Sequence, residues 1–219
     1  MTPADDRTPA QAFAAELLRV GAVDLRPDAP FTWASGRLAP IYCDNRLTLA
    51  DPALRRAVAA RFADALAGAP VSVVAGTATA GIPHATLLAD RLDLPLVYVR
   101  SAAKAHGTGR RVEGRLPDDA RAVVVEDTVS TGGSSLAAVE ALRAEGATVD
   151  TMVALFTYGF ASAAEAFRAA GVRLVTLTDY DALVAQAARE GRLTPAQRDA
   201  LADWRADPGA WSASRGGAA

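Results

Sequence analysis

Glu126 and Asp127 stand side by side at the end of the apolar run Ala122, Val123, Val124, Val125. A turn of hydroxyls and glycines follows them: Thr128-Val129-Ser130-Thr131-Gly132-Gly133-Ser134-Ser135. An apolar run that ends in two carboxylates and then turns into LAAVEALRAEGA predicts a strand, a turn and a helix. Such a turn presents backbone N–H groups and hydroxyls at a helix N-terminus, an anion site whose natural occupant is phosphate. The two acids cannot hold the same phosphate, because like charges repel. They suit the hydroxyls of a sugar attached to it, or a magnesium ion beside it. In a parallel sheet, ligands bind beyond the carboxyl ends of the strands, where this unit would lie. No Gly-Lys-Ser/Thr follows and GxGxxG is absent, so it is neither a P-loop nor a dinucleotide fingerprint. The plain structural alternative makes Asp127 an N-cap, and it fits two adjacent acids less well.

A second segment points to chemistry by its rarity. Of the 23 lysine and arginine residues, Lys104 is the only lysine. It sits in Arg100-Ser-Ala-Ala-Lys104-Ala-His106-Gly-Thr-Gly109, with one of the two histidines. A compact ammonium on a flexible stem does what a planar guanidinium cannot. The surrounding glycines and alanines predict a mobile loop, so Lys104 reads either as a working group on a moving arm or as a solvated surface residue.

The elements that must position these groups alternate along the chain. Thr8-Pro9 opens a helix carrying Phe13, Leu17 and Leu18, and Gly21 stops it. Residues 22–46, rich in Pro and Gly, read as short strands and turns forming a small hood. Asp51-Pro52 opens a second helix that ends near Gly68. Then come strand 71–75, helix 82–92, strand 95–100, loop 101–118, strand 121–126, helix 133–145, strand 149–157, helix 161–170 and strand 172–177. This alternation predicts an α/β fold with a central, mostly parallel sheet covered on both faces. Residues 179–206 read as C-terminal helices, and the tail SASRGGAA as frayed. With no repeat or linker, the 219 residues are expected to form one domain with its core at about 51–178.

Composition excludes several classes. A net charge of −2 argues against nucleic-acid and membrane-surface partners. No apolar run reaches membrane-spanning length, and the N-terminus lacks the basic and apolar regions of a signal peptide. One cysteine, Cys43, rules out an internal disulfide and fits a reducing, cytoplasmic setting. One cysteine and two distant histidines give no metal-site spacing. His84, after a Gly-Ile-Pro turn, reads as a packing residue at a helix start, and Trp33, Trp204 and Trp211 as packing for the hood and the C-terminal helices.

The strand, acid pair and Thr-Gly-Gly turn resemble the phosphoribosyl pyrophosphate (PRPP) motif of the type I phosphoribosyltransferase family. Other segments narrow the likeness to the branch that acts on orotate. Phe31-Thr-Trp-Ala-Ser-Gly36 and Ala39-Pro-Ile-Tyr-Cys-Asp-Asn-Arg46 are similar to its hood, and Gly76-Thr-Ala-Thr-Ala-Gly81-Ile-Pro-His84 to its pyrophosphate loop. Tyr98-Val-Arg100 with Lys104-Ala-His106-Gly107 is similar to its mobile catalytic loop. Asp203-Trp-Arg-Ala-Asp-Pro208 resembles the form found in Gram-positive-like bacteria. The likeness runs from about residue 11 to 211.

The resemblance implies the type I fold and a Mg²⁺-dependent transfer of the 5-phosphoribosyl group from PRPP to orotate. It assigns Arg100, Lys104, His106 and Asp127 to catalysis. It assigns PRPP to Arg100, Lys104, His106, Glu126 and Asp127 and to the turn Thr128, Val129, Ser130, Thr131, Gly132, Gly133 and Ser134. It assigns orotate to Tyr42, Cys43 and Ser130. It further implies a homodimer in which loop 101–114 serves the partner's site, with magnesium carried mainly on pyrophosphate oxygens. Both acids are expected at a solvent-facing strand end.

The chain departs from enteric members at Ala34, Ala80 and Ser101, where those carry lysine, and at Ala105, where an acid is usual. Arg46 is the candidate for replacement charge near orotate. Two alternatives stand beside this reading: a transferase for a purine base, and a PRPP-sensing regulator that binds nucleic acid. The hood and the Lys-x-His-Gly loop speak against the first. The lack of a basic face or added DNA-binding segment speaks against the second.

Overall fold

The computed structural model describes residues 6–33, 35–102 and 110–218. They form two compact units, one of residues up to Leu47 together with those from Thr178 onward, the other Thr48–Leu177.

The smaller unit opens with α1 (Pro9–Arg19), where Thr8 and Gln11 form a reciprocal capping box. Two short antiparallel ribbons follow. One pairs β1 (Val23–Leu25) with β4 (Ile41–Cys43), and the other pairs β2 (Phe31–Thr32) with β3 (Leu38–Ala39). The expected C-terminal helical stretch is three helices: α6 (Tyr180–Arg189), α7 (Pro195–Ala206) and α8 (Pro208–Ala213). Trp204 is fully buried, edge-on to Trp33 at 6.1 Å and tilted against Tyr180 at 5.6 Å.

The tail is not frayed as its composition predicts. Leu38 N donates to Ser212 Oγ at 2.9 Å, and Ala218 N donates to the Gly36 carbonyl at 3.0 Å. Small residues let the chain lie against the β3 backbone, where larger ones would clash.

The larger unit holds α2 (Pro52–Ala65), capped by Asp51, and most of a sheet made of β5 (Val73–Thr77), β6 (Leu96–Val99), β7 (Val112–Glu113), β8 (Arg121–Val129), β9 (Thr148–Thr157) and β10 (Arg173–Asp179), whose last two residues are counted with the smaller unit. The strand order is β10-β9-β8-β5-β6-β7, with β5, β6, β8 and β9 parallel and β7 antiparallel to β6. Helices α3 (Gly81–Leu92), α4 (Gly133–Ala144) and α5 (Ala161–Ala169) make the crossovers. All five residues of β5 are buried, as are Ala122–Glu126 of β8, the mark of strands covered on both faces. Two corrections apply here. β7 lies inside the expected loop 101–118, and β8 continues past residue 126 to Val129.

The crossovers from β5 and β8 run in opposite directions. A crevice therefore opens at the carboxyl ends of these neighbours. Gly81 keeps α3 tight against that point, since a Cβ there would overlap Thr77 Oγ1 and the Val125 carbonyl oxygen. Gly81→Ala is expected to destabilise by about 1–3 kcal/mol through overpacking, read as a clear drop in the thermal midpoint. An unchanged midpoint would show that the helix shifts without strain.

Candidate active site

A cavity of about 220 Å³ occupies the crevice. Its walls are Thr77 at the end of β5 with Ala78–Ala80 after it, Val99 at the end of β6 with Arg100 and Ser101 after it, Arg111, the β8 residues Glu126–Thr128, and Ser134 with Ala138 on α4. Arg100, Glu126, Asp127, Thr128 and Ser134, five of the expected PRPP residues, thus meet around one space. Larger hollows against α6 and α7, and against β9 and α5, have no such acid pair.

The two acids are not equivalent. Glu126 is buried, 8% exposed, which corrects the expectation of two solvent-facing carboxylates. Thr77 Oγ1 donates to Glu126 Oε1 at 2.7 Å, Asp127 N donates to the same oxygen at 3.0 Å, and Ser135 Oγ donates to Oε2 at 3.2 Å. Burial pushes the Glu126 carboxyl up from 4.5 to about 7, the neighbouring Asp127 adds to the rise, and the Thr77 hydrogen bond opposes it. Asp127 is half-buried and accepts from Thr128 Oγ1 at 3.3 Å. One acid is thereby held rigidly inside while the other faces the cavity.

The turn after β8 supplies the anion site. Gly132 is the N-cap of α4 at φ 84, a left-handed conformation that favours glycine, and no side chain caps the helix. The first-turn amides are left for a ligand. Ser130 is half-buried at the bend, whereas Thr131, Gly133 and Ser134 are exposed. Val129 has its side chain in the core, so only its backbone could serve a ligand.

Arg100 extends β6, and its N–H donates to the Arg111 carbonyl at 2.9 Å. Its Nη1 lies 3.4 Å from Glu113 Oε1. Arg111, unanticipated from the sequence, donates from Nε to the Arg100 carbonyl at 3.0 Å and from Nη1 to the Ala137 carbonyl at 3.1 Å. Nothing marks it in the sequence beyond membership of the pair Arg110-Arg111. Thr77 was also missed, although the last residue of a parallel strand is where a ligand-facing hydroxyl belongs. Lys104, His106 and Ala34 lie outside the described residues.

In the smaller unit, Tyr42 is 45% exposed with its ring tilted against Phe31 at 5.5 Å, and Cys43 is half-buried and in no disulfide. Arg46 forks onto Asp44, at 2.6 Å from Nε and 2.8 Å from Nη2. The Arg46 hydrogen bond holds Asp44 below the usual carboxylate range. His84 is 1% exposed, and no described residue hydrogen-bonds either ring nitrogen. Burial lowers it to about 4 against the pull of Asp127, so it is a neutral packing group at neutral pH.

Among the described residues no three His, Cys, Asp or Glu side chains cluster as a metal site. The cavity does offer carboxylate oxygens, the hard donors that suit magnesium sharing its ligands with phosphates and water.

A family model described as "Phosphoribosyl transferase domain" matches residues 48–172. The chain is 52% identical over 205 residues to an orotate phosphoribosyltransferase of Cutibacterium acnes, covering 93% of this chain and 95% of that one. It is 50% identical over 200 residues to one of Listeria monocytogenes, covering 90% and 96%. The crystal structure of orotate phosphoribosyltransferase from Aeropyrum pernix superposes with a TM-score of 0.72 at 36% identity, covering 83% and 99%.

Proposed function

We propose, from the premise that this chain belongs to the orotate phosphoribosyltransferase family, a division of labour among its residues. The reaction is transfer of the 5-phosphoribosyl group from PRPP to orotate, giving orotidine 5′-monophosphate and pyrophosphate. The observation that carries the reading is the single cavity in which the acid pair, the uncapped turn and a cation meet.

Displacing pyrophosphate from the anomeric carbon builds positive charge on the ribose and negative charge on the leaving group. Preorganised groups aimed at developing charge are the largest catalytic contribution in such a site. The first-turn amides of α4 with Ser130–Ser134 hold the 5′-phosphate, and Asp127 with Glu126 takes the ribose hydroxyls. Arg100 neutralises the leaving group. Lys104 and His106, assigned by the likeness of their segment, join it from a loop that closes to exclude water and opens to release product. Tyr42, Cys43 and Ser130 are each assigned to the planar anionic base by the likeness of their segments, and Arg46, forked onto Asp44, is the remaining candidate for charge. Asp127 is the protein carboxylate that would be available to a magnesium ion bound with the substrate, and such an ion would supply further charge neutralisation to the leaving group. The enzyme acts as a cytoplasmic homodimer in which the segment of loop 101–114 that carries Lys104 and His106 serves the partner's site, while Arg111 near its end lines this chain's own cavity. No helix among the described residues is long and apolar enough to cross a membrane.

The test is the fall in orotate absorbance on adding PRPP and Mg²⁺, with adenine, guanine, hypoxanthine and uracil as controls. Turnover is expected with orotate alone. A purine consumed at a comparable rate would overturn the base assignment.

A further inference from the structure

Arg100 and Arg111 are the cations lining the cavity among the described residues, and they are held differently. Arg100 has the Glu113 carboxylate at 3.4 Å, which offsets its charge. Arg111 is held by two carbonyls, Arg100 O at 3.0 Å and Ala137 O at 3.1 Å. Neutral carbonyls fix a guanidinium without cancelling its charge, and two bonds leave three of its five N–H donors unused. No described carboxylate pairs with it.

The same cavity carries two acids, and the residues lining it at Ala80 and Ser101 are uncharged. A donor with a monophosphate at one end and a diphosphate at the other must find its cations here. The open amides of α4 serve the monophosphate. The diphosphate, with more charge, needs a fixed cation beside Arg100 whose charge no carboxylate offsets. We propose that Arg111 is a diphosphate-binding residue, gripping the leaving group through the N–H groups that Arg100 and Ala137 do not use. The proposal rests on the cavity being the PRPP site. It assigns to Arg111 the charge that Ala80 and Ser101 do not provide.

The experiment titrates wild type, Arg111→Gln and Arg111→Lys with inorganic diphosphate and, separately, with ribose 5-phosphate, each with Mg²⁺. Calorimetry reads binding, alongside KM for PRPP and for orotate. Arg111→Gln is expected to weaken diphosphate, and to raise KM for PRPP, by about tenfold to a hundredfold, the loss of a charge-assisted contact. Ribose 5-phosphate affinity and KM for orotate should stay unchanged, and Arg111→Lys should recover part of the loss. Wild-type diphosphate affinity in Arg111→Gln overturns the proposal, as does a larger loss for ribose 5-phosphate than for diphosphate. If neither variant folds, Arg111 is a tie between β7 and α4 and the proposal fails. A wild type that binds neither anion strikes the donor-site reading itself. One that binds both while Arg111→Gln is unaffected strikes only the role of Arg111.

Discussion

Replacing Lys104 with alanine is expected to lower kcat by about two to three orders of magnitude, the scale of losing one preorganised group at a developing charge. The fold should be retained, with much of the affinity for PRPP, because the ammonium matters most for charge that develops late. Lys104→Arg should also be poor, since a planar fork cannot follow a departing pyrophosphate as a point charge can. Mixed dimers sharpen the test. Lys104→Ala subunits are combined with subunits impaired at Asp127, each far below half of wild-type activity alone. If the loop acts across the interface, one composite site carries both defects and the other none. The heterodimer then regains up to about half of wild-type activity. If each loop serves its own subunit, every site carries one defect and the mixture stays far below that level. A mixture that stays there with confirmed heterodimers rules out the shared site and leaves the activity assignment standing.

Asp127→Asn is expected to reduce kcat/KM for PRPP by about tenfold to a hundredfold, since a hydrogen bond to a charged acceptor is worth about 1.5–3 kcal/mol. Stability should change little, because Asp127 faces the cavity. Glu126→Gln should behave differently. An amide can accept from Thr77 and from Asp127 N–H and donate to Ser135 Oγ, so the packing survives while the charge is lost.

The pH dependence follows from the raised Glu126 carboxyl. The native state holds this proton up to about 7, whereas the ordinary value is 4.5. Between the two the native state binds more protons than the unfolded state, so this group's stability contribution is full below the lower value and is lost as pH rises through the upper one. The charged group acting on it is Asp127, and Arg100 and Arg111 line the same cavity. Ribose hydroxyls donate best to the ionised form, so kcat/KM for PRPP should climb as pH passes about 7. In Glu126→Gln that climb should vanish, and its thermal midpoint should gain on wild type between pH 5 and pH 8. A flat difference in midpoint across that range would mean that Glu126 is ionised throughout.

The sequence by itself determined the order of the elements and the acid-turn unit, because both are written in contiguous residues. Apolar runs alternating with helix-length segments locate β5, β6, β8, β9 and β10 to within a few residues. Thr8-Pro9 and Asp51-Pro52 announce their helices by capping chemistry that acts over three residues. The pair Glu126-Asp127 followed by hydroxyls and glycines is legible for the same reason.

What the tertiary structure decided depends on partners far along the chain. The strand β7 has two residues, too few for any periodicity, and exists because Tyr98 and Val99 pair with it. The tail is ordered by Leu38 and Gly36, which nothing in SASRGGAA foretells. The burial of Glu126 is set by Thr77, 49 residues before it, and by Ser135, in the first turn of α4. Arg111 reaches the cavity through carbonyls on Arg100 and Ala137, on either side of it in the chain. Residue types and short spacings state which groups could do chemistry. Their solvation, and hence their charge and reach, is a property of neighbours that only the folded chain brings within hydrogen-bond distance.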